Sequence, residues 1–403
     1  MNLKKLSGGI LGGSLILLVT INVFFVLNYF FHFAMARMLS IEQYGVLVTL
    51  YSLIYILAIF AESIQLVISK YTTNEKDDGR VKNLFRKSSR KAIKIAFYLF
   101  LSFLFLGIIL SKILKIDYPL IALTGLIIFS SFLMPLTRGI LQGRKRFTSL
   151  GLNMISESVV KLIAAVLLVL AGLMIYGAVI ATLLGTYISL LLSLGSIKDI
   201  LGKDEKKGRT PGIYGYSAPV FIVIVTIVLF YSIDVIIARI VFSAEITGYY
   251  AVASMIAKVI FFGTMPISKA MFPITTDSKN KKDSSKTFKR SLLILMGCIS
   301  IALFVVYFFP ELLIKVFSGD KIPEIERILI LPALAVSFIS MSNMILLYKL
   351  SVGKIKYYPF LLVFFVIELF AMVIFSSNLL TFSIAFLVSA ILLFIGSSII
   401  IRN

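Results

Sequence analysis

Twelve runs of mainly apolar residues, each about 18 residues or longer, follow one another along this chain of 403 residues. A run of that length can cross about 30 Å of hydrocarbon as an α-helix, which satisfies its own backbone hydrogen bonds in lipid. The sequence therefore predicts an all-α integral membrane protein. The predicted spans lie near residues 9–36, 44–69, 92–113, 119–141, 150–172, 177–197, 213–241, 249–274, 291–312, 325–348, 358–376 and 379–401.

Composition leaves little of the chain outside the membrane. Apolar residues make up 59% of the sequence and charged residues 15%, against about 45–50% apolar residues in an ordinary soluble domain. The polar connections are short. We therefore expect no separate soluble domain that could hold a catalytic centre.

A sequence element at the predicted turn between the first two helices occurs a second time about 200 residues later. Residues 32–45 read HFAMARMLSIEQYG, and residues 234–248 read DVIIARIVFSAEITG, with one additional residue in the turn. Both copies share an Ala-Arg pair and end on a glycine, Gly45 or Gly248. A direct repeat of this length predicts two parallel halves related by an axis along the membrane normal.

The repeat extends through each half. A glycine followed by basic residues and an aromatic residue occurs at 143–147 and again at 353–357, before the fifth helix of each half. A polar, lysine-rich connection that contains Pro211 separates the sixth and seventh helices. We therefore predict two six-helix halves, residues 1–205 and 206–403, around a central cavity.

Basic residues indicate how the chain is oriented. Most of the 40 lysines and arginines fall on the ends and loops that lie on one side of the predicted spans. The positive-inside rule assigns that side to the cytoplasm, which predicts a multi-pass plasma-membrane protein with both termini cytoplasmic. The net charge of +21 is spread over these loops, where it suits anionic lipid headgroups better than nucleic acid, and no nucleic-acid partner is expected.

Polar residues in the fifth predicted helix follow a helical spacing. Asn153, Glu157 and Lys161 are four residues apart and so share one face. Charges inside a membrane mark functional sites unless they pair. We expect Glu157 and Lys161 to face a cavity, and the alternative is an internal ion pair between them that only fixes helix packing.

Glu368 is the acid of the eleventh predicted helix. The 210-residue offset between the basic turns aligns Glu157 with Ile367, so the two acids are one residue out of register. Glu368 has no base three or four residues away on its own helix. It must find a partner on another helix, reach a wet cavity or be protonated.

His32 and Asp234 occupy equivalent positions of the repeat, each five residues before its arginine. A carboxylate and a histidine in a partly dry site could bind H⁺ or Na⁺ in one conformation and release it in another. The sequence therefore predicts ion coupling at His32, Asp234, Glu157 and Glu368. The alternatives are that Asp234 pairs with Arg239 and that His32 only packs.

Signals of catalysis are absent from the sequence. His32 is the only histidine, so HExxH and paired-histidine zinc sites are excluded, and there is no GxxxxGK[ST] phosphate loop. We expect no catalytic residue, no metal site and no cofactor other than a coupling H⁺ or Na⁺.

The two parallel halves, ARMLSIEQYG at the first outer turn, and the passage D-x4-R-x8-G-x-Y from Asp234 to Tyr250 resemble the polysaccharide exporters, or Wzx-like oligosaccharide flippases. Those proteins belong to the superfamily that also holds the multidrug and toxic compound extrusion (MATE) transporters and the lipid II flippases. The resemblance covers essentially the whole chain. It implies two six-helix bundles that alternate between inward-open and outward-open states.

The implied cargo is a polyprenyl-phosphate- or diphosphate-linked oligosaccharide that moves from the cytoplasmic to the outer leaflet. An anionic headgroup needs cations in place of water, and Arg37, Lys161, Arg239 and Lys258 are the predicted substrate-binding residues. For Arg37 and Arg239 the alternative is that each simply extends to lipid headgroups at a helix end. Membrane lipids, and a glycan polymerase or glycosyltransferases of the same pathway, are the other expected partners.

Two further functions remain open at this point. A cation-coupled multidrug antiporter of the same superfamily would favour uncompensated acids over an excess of bases in its cavity. A membrane enzyme of glycan assembly is the remote alternative, because it would need catalytic residues that the sequence does not display.

Overall fold

The computed structural model describes residues 10–208, 217–277, 281–320, 322–353 and 358–399, and these residues form helices and no strand. The longer helices are α1 to α4, α6 to α8, α10 to α12 and α15 to α17. Their bounds are Ile10–Met38, Ile41–Leu57, Ile59–Asn74, Asp78–Leu114, Ile127–Gly143, Phe147–Leu168, Met174–Ser196, Ser217–Val241, Ala244–Asp277, Lys281–Phe308, Ile330–Ser351, Leu361–Ile374 and Leu379–Ile399. Short helices are α5 (Tyr118–Gly125), α9 (Lys198–Leu201), α13 (Pro310–Ser318) and α14 (Pro323–Glu326).

Ten helical stretches in the described part of the chain are long and apolar enough to cross a membrane. One of them, Phe147–Ser196, has 50 residues and reverses direction at Gly172, whose φ of +87° only glycine adopts readily. One further helix, Tyr358–Ile374, is also apolar but shorter. When Phe147–Ser196 is counted as two segments and Tyr358–Ile374 is added, the ten stretches become twelve segments, which correspond to the twelve predicted spans.

The fifth and sixth segments pack as an antiparallel hairpin. A Cβ atom added at Gly177 of α8 would lie 2.9 Å from Leu168 Cβ of α7, and one added at Gly185 would lie 2.7 Å from the carbonyl oxygen of Glu157. The missing side chains let the two backbones approach closely. This close packing fixes which face of α7 meets α8.

Two compact units make up the molecule. Unit 1 comprises residues 1–31 and 57–217, and unit 2 comprises residues 32–56 and 218–403. The last turns of α1, together with α2, thus belong to the unit that contains the second copy of the repeat. The predicted boundary between residues 205 and 206 stays a prediction.

The two glycines of the repeat touch each other inside unit 2. A Cβ atom at Gly45 of α2 would lie 2.9 Å from the Cα and the amide nitrogen of Gly248 of α11, and one at Gly248 would overlap the carbonyl oxygen of Ile41. Neither position has space for a side chain. The repeat therefore places glycine where its own two copies cross.

The predicted basic turn 143–147 binds the ends of neighbouring helices. The Arg144 guanidinium donates to the carbonyl oxygen of Glu75, 2.7 Å away, just beyond α3. Arg146 donates to the Ser196 carbonyl at the end of α8 and to Asp199, and this bond lowers the pKa of Asp199 to about 2. These arginines satisfy carbonyls that a helix leaves free at its C-terminus.

The first residues of the predicted connection between the halves bind to α4. Glu205 accepts hydrogen bonds from Asn83 (2.5 Å) and from Arg86 (2.6 Å), and these two donors lower the pKa of Glu205. Lys206 pairs with Asp77, the residue that caps α4. The rest of this connection, the start of the seventh predicted helix, both chain termini and most of the turn at 353–357 lie outside the described residues.

Candidate functional site

Asp234 of α10 is the centre of a buried polar cluster in unit 2. Three residues of α11 spaced by four, Tyr250, Ser254 and Lys258, present their polar groups to it from one helix face. Lys258 Nζ lies 3.0 Å from Asp234 Oδ1, Ser254 Oγ donates to Oδ2 at 2.5 Å, and the Tyr250 hydroxyl lies 3.4 Å from Oδ2. Both carboxylate oxygens of Asp234 are thus occupied.

Glu368 of α16 lies beside this group. Its side chain has no exposed surface, and neither carboxyl oxygen has a hydrogen-bond partner among the described residues. Asp234, Lys258 and Tyr250 interact with it electrostatically. We call Asp234, Tyr250, Ser254, Lys258 and Glu368 cluster 2.

A second cluster lies in unit 1, around the acid of α7. Arg138 of α6 forms a salt bridge of 2.6 Å with Glu157 and donates to Asn153 Oδ1 at 2.8 Å. Asn153 in turn donates to the Ser189 carbonyl of α8 at 2.7 Å. Arg138 therefore binds two of the three residues that the spacing of four predicted to share a face.

Lys161, the third of those residues, reaches the first helix. Its ammonium group donates to Asn28 Oδ1 of α1 and lies 4.6 Å from the centre of the Phe31 ring. Asn28 also donates to Ser158 Oγ at 2.9 Å. Lys161 is buried and interacts electrostatically with Glu157, which links the two parts of the cluster.

We call these seven residues of unit 1 cluster 1. Its formal charge is +1, because it contains two cations, Arg138 and Lys161, and one anion, Glu157. Cluster 2 contains one cation, Lys258, and two acids, so its formal charge is −1 when both acids are ionised. The members of cluster 1 are Asn28, Arg138, Asn153, Glu157, Ser158, Lys161 and Ser189.

The remaining predicted residues lie on α1 and α10. His32 is buried, with its ring edge-on to Tyr51 at 4.7 Å between centroids. Arg37 is exposed, and its guanidinium donates to the carbonyl oxygens of Lys315 and Val316 in the last turn of α13. Arg239 is buried near the end of α10.

Structure thus brings Asp234, Lys258 and Glu368 together in unit 2, and Glu157 and Lys161 together in unit 1. The sequence patterns did not select Arg138, Tyr250 or Ser254. For the α11 residues a signal existed, because Tyr250, Ser254 and Lys258 repeat the spacing of Asn153, Glu157 and Lys161. For Arg138 no local pattern indicated the partner.

Comparison with known families adds to this geometry. A family model described as "Polysaccharide biosynthesis protein" matches residues 10–279, which is more than half of the chain. The chain belongs to this family. An uncharacterized membrane protein of Methanocaldococcus jannaschii is 29% identical to this chain over 363 residues, which cover 82% of each chain.

Solved structures confirm the fold. An inward-facing MATE-family multidrug resistance transporter of the MOP superfamily aligns with a TM-score of 0.70 at 15% identity, covering 96% of this chain and 97% of that one. A MOP superfamily transporter from Pyrococcus furiosus aligns with a TM-score of 0.67 at 13% identity, over 98% and 97% of the two chains. This member of the polysaccharide biosynthesis family is therefore a multi-pass integral membrane protein with the fold of MOP transporters, and the family and all-α fold expected from sequence are confirmed.

Proposed function

We propose that this protein is a flippase that moves a polyprenyl-phosphate- or diphosphate-linked oligosaccharide from the cytoplasmic to the outer leaflet of the plasma membrane by alternating access. Cluster 1 is the observation that carries the proposal. It holds two cations and one anion among helices of unit 1, in a chain of the polysaccharide biosynthesis family. Lys161 is buried, and a positive charge out of water favours an anionic ligand.

Lys161 is the group in cluster 1 that we assign to the phosphate of the cargo. Its ammonium group contacts the Asn28 amide oxygen and the Phe31 ring, two uncharged groups that orient a cation. Arg138 is engaged by the Glu157 carboxylate and acts as the positioning residue. Lys258 is paired with Asp234, so its assignment to substrate requires that this pair opens during the cycle.

Arg37 and Arg239 remain proposed contacts for the headgroup at the outer side. Arg37 binds helix-terminal carbonyls in the present conformation, an arrangement that an anionic group could replace. The ion that drives transport is H⁺ or Na⁺, and His32, Asp234, Glu157 and Glu368 are the candidate coupling residues. The termini are proposed to be cytoplasmic, and glycan polymerase or glycosyltransferases of the pathway are proposed partners.

A multidrug antiporter is the second candidate, because cluster 2 contains two acids for one base and a cationic drug would need acidic partners. The first candidate is favoured because Asp234 is already neutralised by Lys258. A membrane enzyme of glycan assembly has less support, since the aligned MOP proteins are named as transporters.

A glycan export assay tests the flippase directly. Lys161→Met keeps the aliphatic stem and removes the charge, so we expect export to fall at least tenfold, which corresponds to about 1.4 kcal/mol of lost interaction. Lys161→Arg should retain most export, and Lys87→Ala, on an exposed part of α4, should retain all of it. Normal export by Lys161→Met at normal protein level would contradict the proposal, and export of organic cations by the wild-type protein would favour the antiporter.

A further inference from the structure

The carboxyl group of Glu368 has an environment unlike that of any other acid assigned to the two clusters. It is fully buried, and neither of its oxygens accepts a hydrogen bond from the described residues. On its own helix the neighbours three and four residues away are Phe364, Phe365, Ala371 and Met372. An ionised carboxylate without donors in an apolar site is costly, whereas the protonated acid is much less so.

The charges that face Glu368 do not remove this cost. Asp234 approaches from α10, and Lys258 and Tyr250 approach from α11. The ammonium group of Lys258 is 3.0 Å from Asp234 Oδ1, so its charge is already matched. Ionised Glu368 would add a second negative charge beside that pair, and the protonated form leaves cluster 2 neutral.

A proton fits this site better than a sodium ion. Na⁺ is held by several oxygen atoms at once, and both oxygens of Asp234 are occupied by Lys258, Ser254 and Tyr250. A sodium ion that used the oxygens of Asp234 as well as those of Glu368 would have to displace those groups. A proton needs only one oxygen of Glu368.

We propose that Glu368 is the proton-binding group of this transporter and that H⁺, rather than Na⁺, is the coupling ion, an inference that rests on the proposed transport function. In one conformation the Glu368 carboxylate takes a proton from hydronium in the adjoining water, so that a hydronium O–H bond breaks and the carboxyl O–H bond forms. In another conformation, where water reaches the site, the O–H bond breaks and the proton returns to water on the other side. Coupling follows because the two conformations differ in affinity for the proton.

Proton binding can be measured without transport. In purified protein in lipid nanodiscs at neutral pH, infrared difference spectroscopy should show the carbonyl stretch of a buried protonated carboxylic acid. Glu368→Gln preserves shape without charge and should abolish this band. Glu157→Gln, which alters an acid already paired with Arg138, should leave it. Absence of the band in the wild-type protein, or its persistence in Glu368→Gln, overturns the proposal.

The cation is identified in the same preparation. Replacing choline chloride in the buffer with sodium chloride should leave the infrared band unchanged. Loss of the band when Na⁺ is added would show that sodium displaces the proton, and it would overturn the assignment to H⁺.

Transport then separates the two proposals. In vesicles that export glycan, an imposed pH gradient should stimulate the wild-type protein, and the ratio of export with and without the gradient should fall to one in Glu368→Gln. Undiminished stimulation in that variant overturns the role of Glu368. If the wild-type protein moves no glycan, the flippase proposal fails while the infrared band still decides whether Glu368 binds a proton.

Discussion

Cluster 1 and cluster 2 use the same helical spacing to opposite electrostatic effect. In unit 1, α7 presents Asn153, Glu157 and Lys161, and in unit 2, α11 presents Tyr250, Ser254 and Lys258. Each set of three residues ends in a buried lysine. Lys161 contacts an amide and an aromatic ring, whereas Lys258 contacts a carboxylate. The comparison shows that one local pattern can belong to a cluster with an excess of bases in one unit and to a cluster with an excess of acids in the other, depending on what the facing helix supplies.

Because the Asp234–Lys258 ion pair of cluster 2 is buried, breaking it should destabilise the protein more than changes in cluster 1, at the two glycines of the repeat or at exposed ion pairs. Lys258→Met leaves Asp234 as an uncompensated buried charge and should cost about 3–5 kcal/mol of stability. Asp234→Asn with Lys258→Met removes both charges and should recover much of that loss. Retention of the main folded peak in size-exclusion chromatography after heating measures the effect. If the double variant is as unstable as Lys258→Met alone, the pair is not what stabilises this region.

Cluster 1 should respond less to the equivalent change. Arg138→Met removes the partner of Glu157, but these side chains keep 12% and 19% of their surface exposed, so water can partly replace the lost contact. We expect a loss of about 1.5–3 kcal/mol, the range for hydrogen bonds to charged groups. The same heating assay compares this variant with Lys258→Met. A loss of stability as large as that of Lys258→Met would mean that water is excluded equally from the two clusters.

Contact between the repeat copies gives a test that involves no charge. Gly45→Ala and Gly248→Ala each place a methyl group against backbone atoms of the other copy, and overpacking of this kind costs about 1–3 kcal/mol. Gly263→Ala, on the same helix as Gly248 and with no atom within 4 Å of the added Cβ, is the matched control and should be neutral or slightly stabilising. Equal behaviour of all three variants would show that the two turns do not cross at these glycines.

Exposed ion pairs should contribute least to the stability of the protein. Arg146 and Asp199 keep 33% and 52% of their side-chain surface exposed, so Asp199→Asn should cost about 0.2–1 kcal/mol and less at high salt. Because the folded pKa of Asp199 is lowered to about 2, the contribution is present at neutral pH and is lost as pH falls from the ordinary carboxyl range through about 2.

Heating wild-type protein and Asp199→Asn side by side over that pH range measures the difference. A gap between the two proteins that persists unchanged at the lowest pH would contradict the assignment to the carboxylate. Salt should not change the loss caused by Lys258→Met, because that pair is buried.

Sequence alone determined the elements of the fold and the identity of the family. Long apolar runs can exist in lipid only as helices, so span number and position follow from composition along the chain. The spacing of four likewise determined that Asn153, Glu157 and Lys161 share one side of α7, because helix geometry is local. The repeat identified Gly45 and Gly248 as equivalent before the structure showed them in contact.

Only the tertiary structure decided which charges meet. Glu157 pairs with Arg138 on the preceding helix, and Asp234 pairs with Lys258, 24 residues further along the chain. Glu368 gained charged neighbours but no hydrogen-bond donor among the described residues. Periodicity fixes a side chain's direction on its own helix, whereas its partners depend on how separate helices approach and rotate against one another. That approach is set by packing at small residues such as Gly177 and Gly185, and no local pattern encodes it.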